Sequence, residues 1–381
     1  MEKAGNDPVV TRYVRIQLDR ESRDMLMPRL REVHRAAVRV LRRWFDWRPG
    51  NGQYPPRVAP LGRSLWSRTR AALIAWRERW RGVPPGDHSH VLQPRVYPGS
   101  RARYYAVHVP NGVSGPRPLL VVLHGCRQNH RDIETISGFN RLADRHGFLV
   151  AYPFITSYSG LRYHNCWGWW FDSEIHRGAG EVEDLWQIVE EIRARYQVAE
   201  HRIHVTGLSS GAGMAVAVMV AHADRIASGA VVAGIPYSEW PEAVRQLPYI
   251  PPRHKPVARI VDAMNAEMGD TRRLVPVQIV HSQDDATVGI QAAKNLRDSW
   301  GQCFGVDTRH PGKVRSGRTG NSDWEHSEYR NGNGTSMIET LFLAGPGHGW
   351  YGGNPGRFSF PDAPDVASCN WDFFRSHPMR G

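Results

Sequence analysis

The chain has 381 residues, 41% apolar and 23% charged, a balance that suits a globular protein and excludes a disordered or fibrous one. Its net charge of +12 is uneven: Met1 to Arg95 holds 20 basic and 9 acidic residues, a surplus of 11, and the remainder is nearly neutral. No run approaches the roughly 18 apolar residues of a membrane helix, the four cysteines are too few and too scattered for a disulfide scaffold, and neither a metal-ligand cluster nor a glycine-rich phosphate loop is present, so no cofactor is expected.

From Arg20 to Trp47 the apolar residues Leu26, Leu30, Val33, Ala37, Val40 and Trp44 recur at spacings of three and four, with arginines mostly off that stripe. The pattern predicts a basic amphipathic helix from about Pro28, ended by the Pro/Gly-rich stretch Arg48–Pro56. A second basic helix is predicted around Ser64 to Arg81, and Gly82–Asp87 reads as a linker. Beyond it strands and helices alternate. Strands are predicted at Arg103–Val109, Pro118–Leu123, Phe148–Tyr152, Arg202–Thr206, Gly229–Ala233, Val275–His281 and Met337–Leu343. Helices are predicted at Asp132–His146, Glu181–Tyr196, Ala212–Ala221, Ile290–Trp300 and Asp365–Arg375. Such alternation implies an α/β fold: a mostly parallel sheet with helices on both faces over residues 96–381, behind a basic helical extension and linker over residues 1–95. The start of the chain lacks the apolar segment of a secretory signal, so the expected location is cytoplasmic, with granule or membrane association through the basic helices.

The motif Gly207-Leu208-Ser209-Ser210-Gly211 lies between a β-branched strand and an apolar helix. On average composition the bare pattern arises about 0.1 times in a chain this long, and the strand-to-helix context is what makes it a nucleophile elbow with Ser209 at its tip. A serine hydroxyl needs a base to take its proton, and the base needs a carboxylate to hold its tautomer. In an α/β-hydrolase these follow in the order Ser, Asp or Glu, His, each in a loop past a strand tip. Asp284 and Asp285 follow the strand ending at His281, and His348 lies in Gly345-Pro346-Gly347-His348-Gly349 after the strand ending at Leu343. The spacing alone leaves Asp284 and Asp285 both open. Two amide donors are also needed for the oxyanion: one from Ser210, the residue after the nucleophile, and one from Cys126 in the loop His124-Gly125-Cys126-Arg127-Gln128, where a buried apolar cysteine is the plain alternative.

Together, His124-Gly125-Cys126-x-Gln128, Cys166-Trp167-x-Trp169, the elbow, His281-x-x-x-Asp285-x-x-Val288 and Gly347-His348-Gly349-Trp350-x-Gly352-Gly353 resemble the polyhydroxybutyrate depolymerase-type esterases, α/β-hydrolases related to feruloyl and acetylxylan esterases. The resemblance runs from about Arg103 to the C-terminus. It implies Ser209 as nucleophile, Asp285 rather than Asp284 as the acid, His348 as the base, and a Cys126–Cys166 pair close enough to bridge. Two features depart from the family: Ser282 stands where a glycine is usual, and the basic extension has no counterpart.

The expected activity is that of a serine esterase on short-chain 3-hydroxyacyl esters or polyhydroxyalkanoate. A feruloyl or acetylxylan esterase is the alternative, with a peptidase behind it. Trp167, Trp169, Trp170 and Trp350 are candidate substrate-binding residues, with core packing as the other reading. The basic helices suggest a second class of function, docking to an anionic granule or membrane surface, against the plainer reading of a helical hairpin packed on the catalytic domain. Nucleic acid is the least expected partner because no nucleic-acid fold signature accompanies the arginines.

Overall fold

In a computed structural model, the described residues are 85–379, without 112–114, 156–163 and 245–249. They lie in the compact unit Thr69–Gly381. The two basic helices expected in the N-terminal region fall outside the described residues.

The main sheet has ten strands. In chain order they are β1 (Gly86–Leu92), β2 (Arg103–Val109), β3 (Arg117–Leu123), β4 (Leu149–Phe154), β5 (Val198–Leu208), β6 (Ser228–Val232), β7 (Val277–Ser282), β8 (Lys313–Thr319), β9 (Ser322–Arg330) and β10 (Ser336–Ala344). Their order across the sheet is β1-β2-β4-β3-β5-β6-β7-β10-β9-β8. The central strands β4, β3, β5, β6, β7 and β10 run parallel, and an antiparallel pair closes each side.

Side chains of a strand alternate between faces, and both faces here are apolar, as a covered parallel sheet requires. Leu119, Val121 and Leu123 of β3 join one core with helices α3 (Gly180–Arg195), α4 (Ser210–Ala221), α5 (Val257–Met268) and α6 (Ile290–Phe304). Leu120 and Val122 join the other, with α1 (His130–Ser137), α2 (Phe139–His146) and α7 (Val366–Ser376).

Three sequence expectations change. The single helix expected over Asp132–His146 is two, α1 and α2, because Gly138 adopts a left-handed φ of 71° that caps one and starts the next. Gly82–Asp87 does not continue as a linker: from Gly86 the chain pairs with β2 in unbroken register, so the sheet starts at Gly86 rather than after residue 95. Helix α5 and the β8–β9 hairpin are additions to the expected elements. The helix carries a 3–4 spacing (Val257, Ile260, Val261, Met264, Met268) that is there to be read, whereas every residue of β8 is exposed and polar residues dominate it, leaving no pattern to read.

Candidate active site

Parallel strands aim their carboxyl ends at one edge of the sheet, and the candidate residues collect there. Strand β5 ends at Leu208 and α4 begins at Ser210, so Ser209 is the hinge between them, with φ 56° and ψ −117°. That conformation is strained for a residue with a side chain, and it persists because the neighbours fix it. A Cβ on Gly211 would lie 2.4 Å from the carbonyl oxygens of both Leu123 and His124, and one on Gly207 would lie 2.5 Å from the backbone of Gly211. The glycines let β3, β5 and α4 meet closely enough to hold the serine in place.

Ser209 Oγ lies 2.9 Å from His348 Nε2, and His348 Nδ1 lies 2.6 Å from Asp285 Oδ2. Asp285 is buried, and its other oxygen accepts the amides of Thr287 and Val288, each at 2.8 Å. A carboxylate with those partners is an acceptor toward His348, so His348 carries its proton on Nδ1 and presents a bare Nε2 to the serine. Beneath Asp285 the buried His281 donates from Nε2 to the Val288 carbonyl at 2.7 Å, and burial lowers its pKa, so it stays neutral.

Asp284 is exposed and takes a different part: its Oδ2 accepts the Gly345 amide at 2.6 Å, pinning the start of the loop that carries His348. Ser282, the departure from the family pattern, works beside it. Its hydroxyl donates to the Pro346 carbonyl and accepts the Asp284 amide at 3.1 Å, so it ties the loop of Asp285 to the loop of His348.

The two residues expected to supply oxyanion donors, Cys126 and Ser210, line the same cleft as Ser209. Ser210 opens α4, so its amide belongs to the positive end of the helix, and the residue lines the cleft next to Ser209. In the β3 loop, Gly125 N–H is taken by Gln128 Oε1 at 2.9 Å, Arg127 N–H by the His164 carbonyl at 2.6 Å and Gln128 N–H by the Gly125 carbonyl at 3.3 Å. Among the described residues no acceptor takes the Cys126 amide. The loop is held from below by His124, which is fully buried: its Nδ1 donates to the Gly125 carbonyl at 2.9 Å and its Nε2 accepts the Ile155 amide at 3.2 Å. Burial pushes its pKa down to about 4, so it is a neutral strut. Cys126 is bonded to Cys166, with Cα atoms 4.3 Å apart, which ties this loop to the tryptophan segment.

A cleft of about 640 Å³ opens on Ser209 and His348, lined by Trp169, Trp170, Ile235, Val244 and Phe358 among others. Two of the four tryptophans expected there belong elsewhere. Trp167 is fully buried in the core against His124, ring centroids 5.4 Å apart, and Trp350 is fully buried edge-on to Phe139 at 5.7 Å. Trp169, by contrast, rests on α4 where Gly213 leaves room; a Cβ there would be 3.0 Å from the indole.

Sequence reasoning gives no role to Gln128, His124, Phe358 or Glu181. Glu181 is fully buried and accepts the Gly168 amide at 2.7 Å, within the tryptophan segment. It lies 3.9 Å from Arg103, which bonds Asp184 at 2.8 Å, all three side chains being buried. From the sequence Glu181 reads only as an acid in a helix's first turn; Arg103 lies far from it along the chain, and no local signal marks the pair. Among the described residues no group of three or more His, Cys, Asp or Glu is placed to hold a metal ion.

Residues 103–321 match the protein family described as Esterase PHB depolymerase. Poly(3-hydroxyalkanoate) depolymerase C of Paucimonas lemoignei is 30% identical over 251 residues, a match that covers 64% of this chain and 57% of that protein's length. Acetylxylan esterase A of Emericella nidulans is 27% identical over 248 residues, covering 62% of this chain and 78% of that one. The solved structure of the acetyl xylan esterase from Aspergillus awamori superimposes with a TM-score of 0.57 at 21% identity, over 68% of this chain and 94% of that one, which shows a shared fold. With an α/β-hydrolase sheet, a serine at its elbow and a family match over most of that sheet, the chain belongs to the Esterase PHB depolymerase family.

Proposed function

We propose that the chain is a serine carboxylic-ester hydrolase acting on short-chain 3-hydroxyacyl esters or polyhydroxyalkanoate, with Ser209, His348 and Asp285 as its catalytic residues. The observation that carries the reading is the continuous hydrogen-bond relay from Ser209 through His348 to Asp285 at the floor of an apolar cleft. In the reaction, Ser209 Oγ attacks the ester carbonyl as its proton passes to His348 Nε2, and Asp285 stabilises the imidazolium through Nδ1–H. The oxyanion is received by the Cys126 and Ser210 amides, a contribution of about 10²–10³ in rate for each donor. His348 gives its proton to the leaving alcohol, then activates the water that releases the acyl group. Trp169 and Trp170 supply the apolar wall for the acyl chain.

A second reading, a feruloyl or acetylxylan type of carboxylesterase, has the similarity to acetylxylan esterase A in its favour. Rates on p-nitrophenyl butyrate, methyl ferulate and amorphous polyhydroxybutyrate, for the chain and for Ser209→Ala, test both. The leading reading expects activity on the butyrate and the polyester, lost with Ser209, and methyl ferulate as the best substrate would replace it. For residues 1–95 the proposal is docking to an anionic granule or membrane face, supported by their surplus of 11 positive charges.

A further inference from the structure

The cleft beside Ser209 is apolar along one wall, with Trp169, Trp170, Ile235 and Val244, and carries the cationic Arg127 in its lining. Among the described residues that line it none is Asp or Glu, and Arg127 is the one with a permanent charge. The carboxylate beneath the site, Asp285, is buried and already engaged by His348 and two amides. Arg127 is exposed, and among the described residues its guanidinium has neither an ion pair nor a hydrogen bond. Its backbone, by contrast, is tightly held. It takes φ 62°, uncommon for a residue with a side chain, while its N–H donates to the His164 carbonyl at 2.6 Å and its carbonyl accepts Arg357 Nη1 at 3.3 Å. Such left-handed residues persist where the surroundings over-determine them, and they gather at ligand clamps. Arg357 is itself exposed over the Phe358 ring at 4.9 Å, with no carboxylate partner among the described residues. A second guanidinium thus lies against the Arg127 backbone, beside the lining residue Phe358, and the N-terminus of α4 adds potential of the same sign.

We propose that Arg127 recognises the free carboxylate of a hydroxy acid oligomer, so that the cleft selects the ester bond nearest the carboxyl end. The proposal rests on the hydroxyacyl reading above. The side of recognition follows from the substrate: in such an oligomer the acyl side of every ester leads to a hydroxyl end and the alcohol side leads to the carboxylate. A cation therefore meets the chain beyond the leaving oxygen. Water and the terminal ester give one hydroxy acid and an oligomer shortened by one unit, and the new end is again a carboxylate that the same arginine can engage. The planar fork of arginine matches a carboxylate in two parallel hydrogen bonds, which a lysine cannot reproduce.

The test compares the full chain on the 3-hydroxybutyrate dimer as the free acid and as its neutral N-methylamide, with p-nitrophenyl butyrate as a measure of esterase activity. For an exposed charge pair, kcat/KM for the acid should exceed that for the amide by roughly three- to tenfold. The ratio should shrink as salt rises toward about 1 M. Arg127→Gln should collapse it, Arg127→Glu should push it below one, and Arg375→Gln, remote on α7, should leave it intact. Equal rates on the two dimers, or an unchanged ratio in Arg127→Gln, would overturn carboxylate recognition while p-nitrophenyl butyrate hydrolysis upheld the esterase. Failure to hydrolyse p-nitrophenyl butyrate at all would instead sink the esterase reading, and the proposal with it.

Discussion

Replacing Asp285 by asparagine tests the relay with almost no change in shape. Oδ1 of Asp285 accepts the Thr287 and Val288 amides, so in the variant the amide oxygen must stay on that side to keep both bonds. The new NH2 group is then forced toward His348 Nδ1, which stood 2.6 Å from the lost oxygen. Two donors cannot face each other, so His348 moves its proton to Nε2 and meets Ser209 as a donor instead of an acceptor. The base is then in the wrong tautomer. That fault costs a factor of about 10⁴ in kcat in a serine protease triad, or about 5 kcal/mol in the barrier. Because both backbone bonds survive, the melting temperature should hardly move. Asp284→Asn provides the contrast, since an asparagine oxygen can still accept the Gly345 amide; its loss should stay within about threefold, in keeping with a retained hydrogen bond at an exposed site. The assay is p-nitrophenyl butyrate hydrolysis, with thermal melts of both variants. If Asp285→Asn kept a tenth or more of kcat, or if Asp284→Asn lost as much as Asp285→Asn, the assignment of the acid would be wrong.

Three further outcomes are expected. Burial lowers the pKa of His176, but the carboxylates of Glu267 at 2.5 Å and Asp172 at 3.0 Å outweigh it and hold it above the ordinary 6.5. A raised folded pKa means stabilisation that is complete below 6.5 and lost as pH rises through the higher value, so melting temperature should fall across that window and His176→Gln should flatten the fall; equal slopes would refute it. Reducing the Cys126–Cys166 bond, which joins residues 40 apart in sequence, should cost about 4 kcal/mol of stability and lower kcat by loosening the Cys126 amide, read by melts and rates with and without reductant. A chain starting at Pro84, just ahead of β1, should hydrolyse soluble esters while losing salt-sensitive sedimentation with anionic vesicles, and equal sedimentation of the two chains would remove the docking proposal.

Local physics writes part of this protein directly into its sequence. Leu119 to Leu123 is apolar at every position because β3 is covered on both faces, and that is visible without coordinates. Ser209 is legible because a strand-to-helix turn needs glycine where backbones touch, and His348 because it follows a strand tip in a glycine-rich loop. Contacts between residues far apart in the chain settle the rest. Asp284 and Asp285 are neighbours with the same chemistry, and only the fold puts one against His348 and the other against Gly345. Trp167 and Trp169 are both large and apolar, and which faces the cleft depends on how their segment packs against His124 and Gly213. Glu181, Arg103 and Asp184 form a buried charged cluster across 81 residues of chain, and charges so placed read as solvated surface until the fold removes the water. Local spacing records which face of an element is apolar, whereas pairing across the sheet is set by long-range packing that leaves no short-range mark.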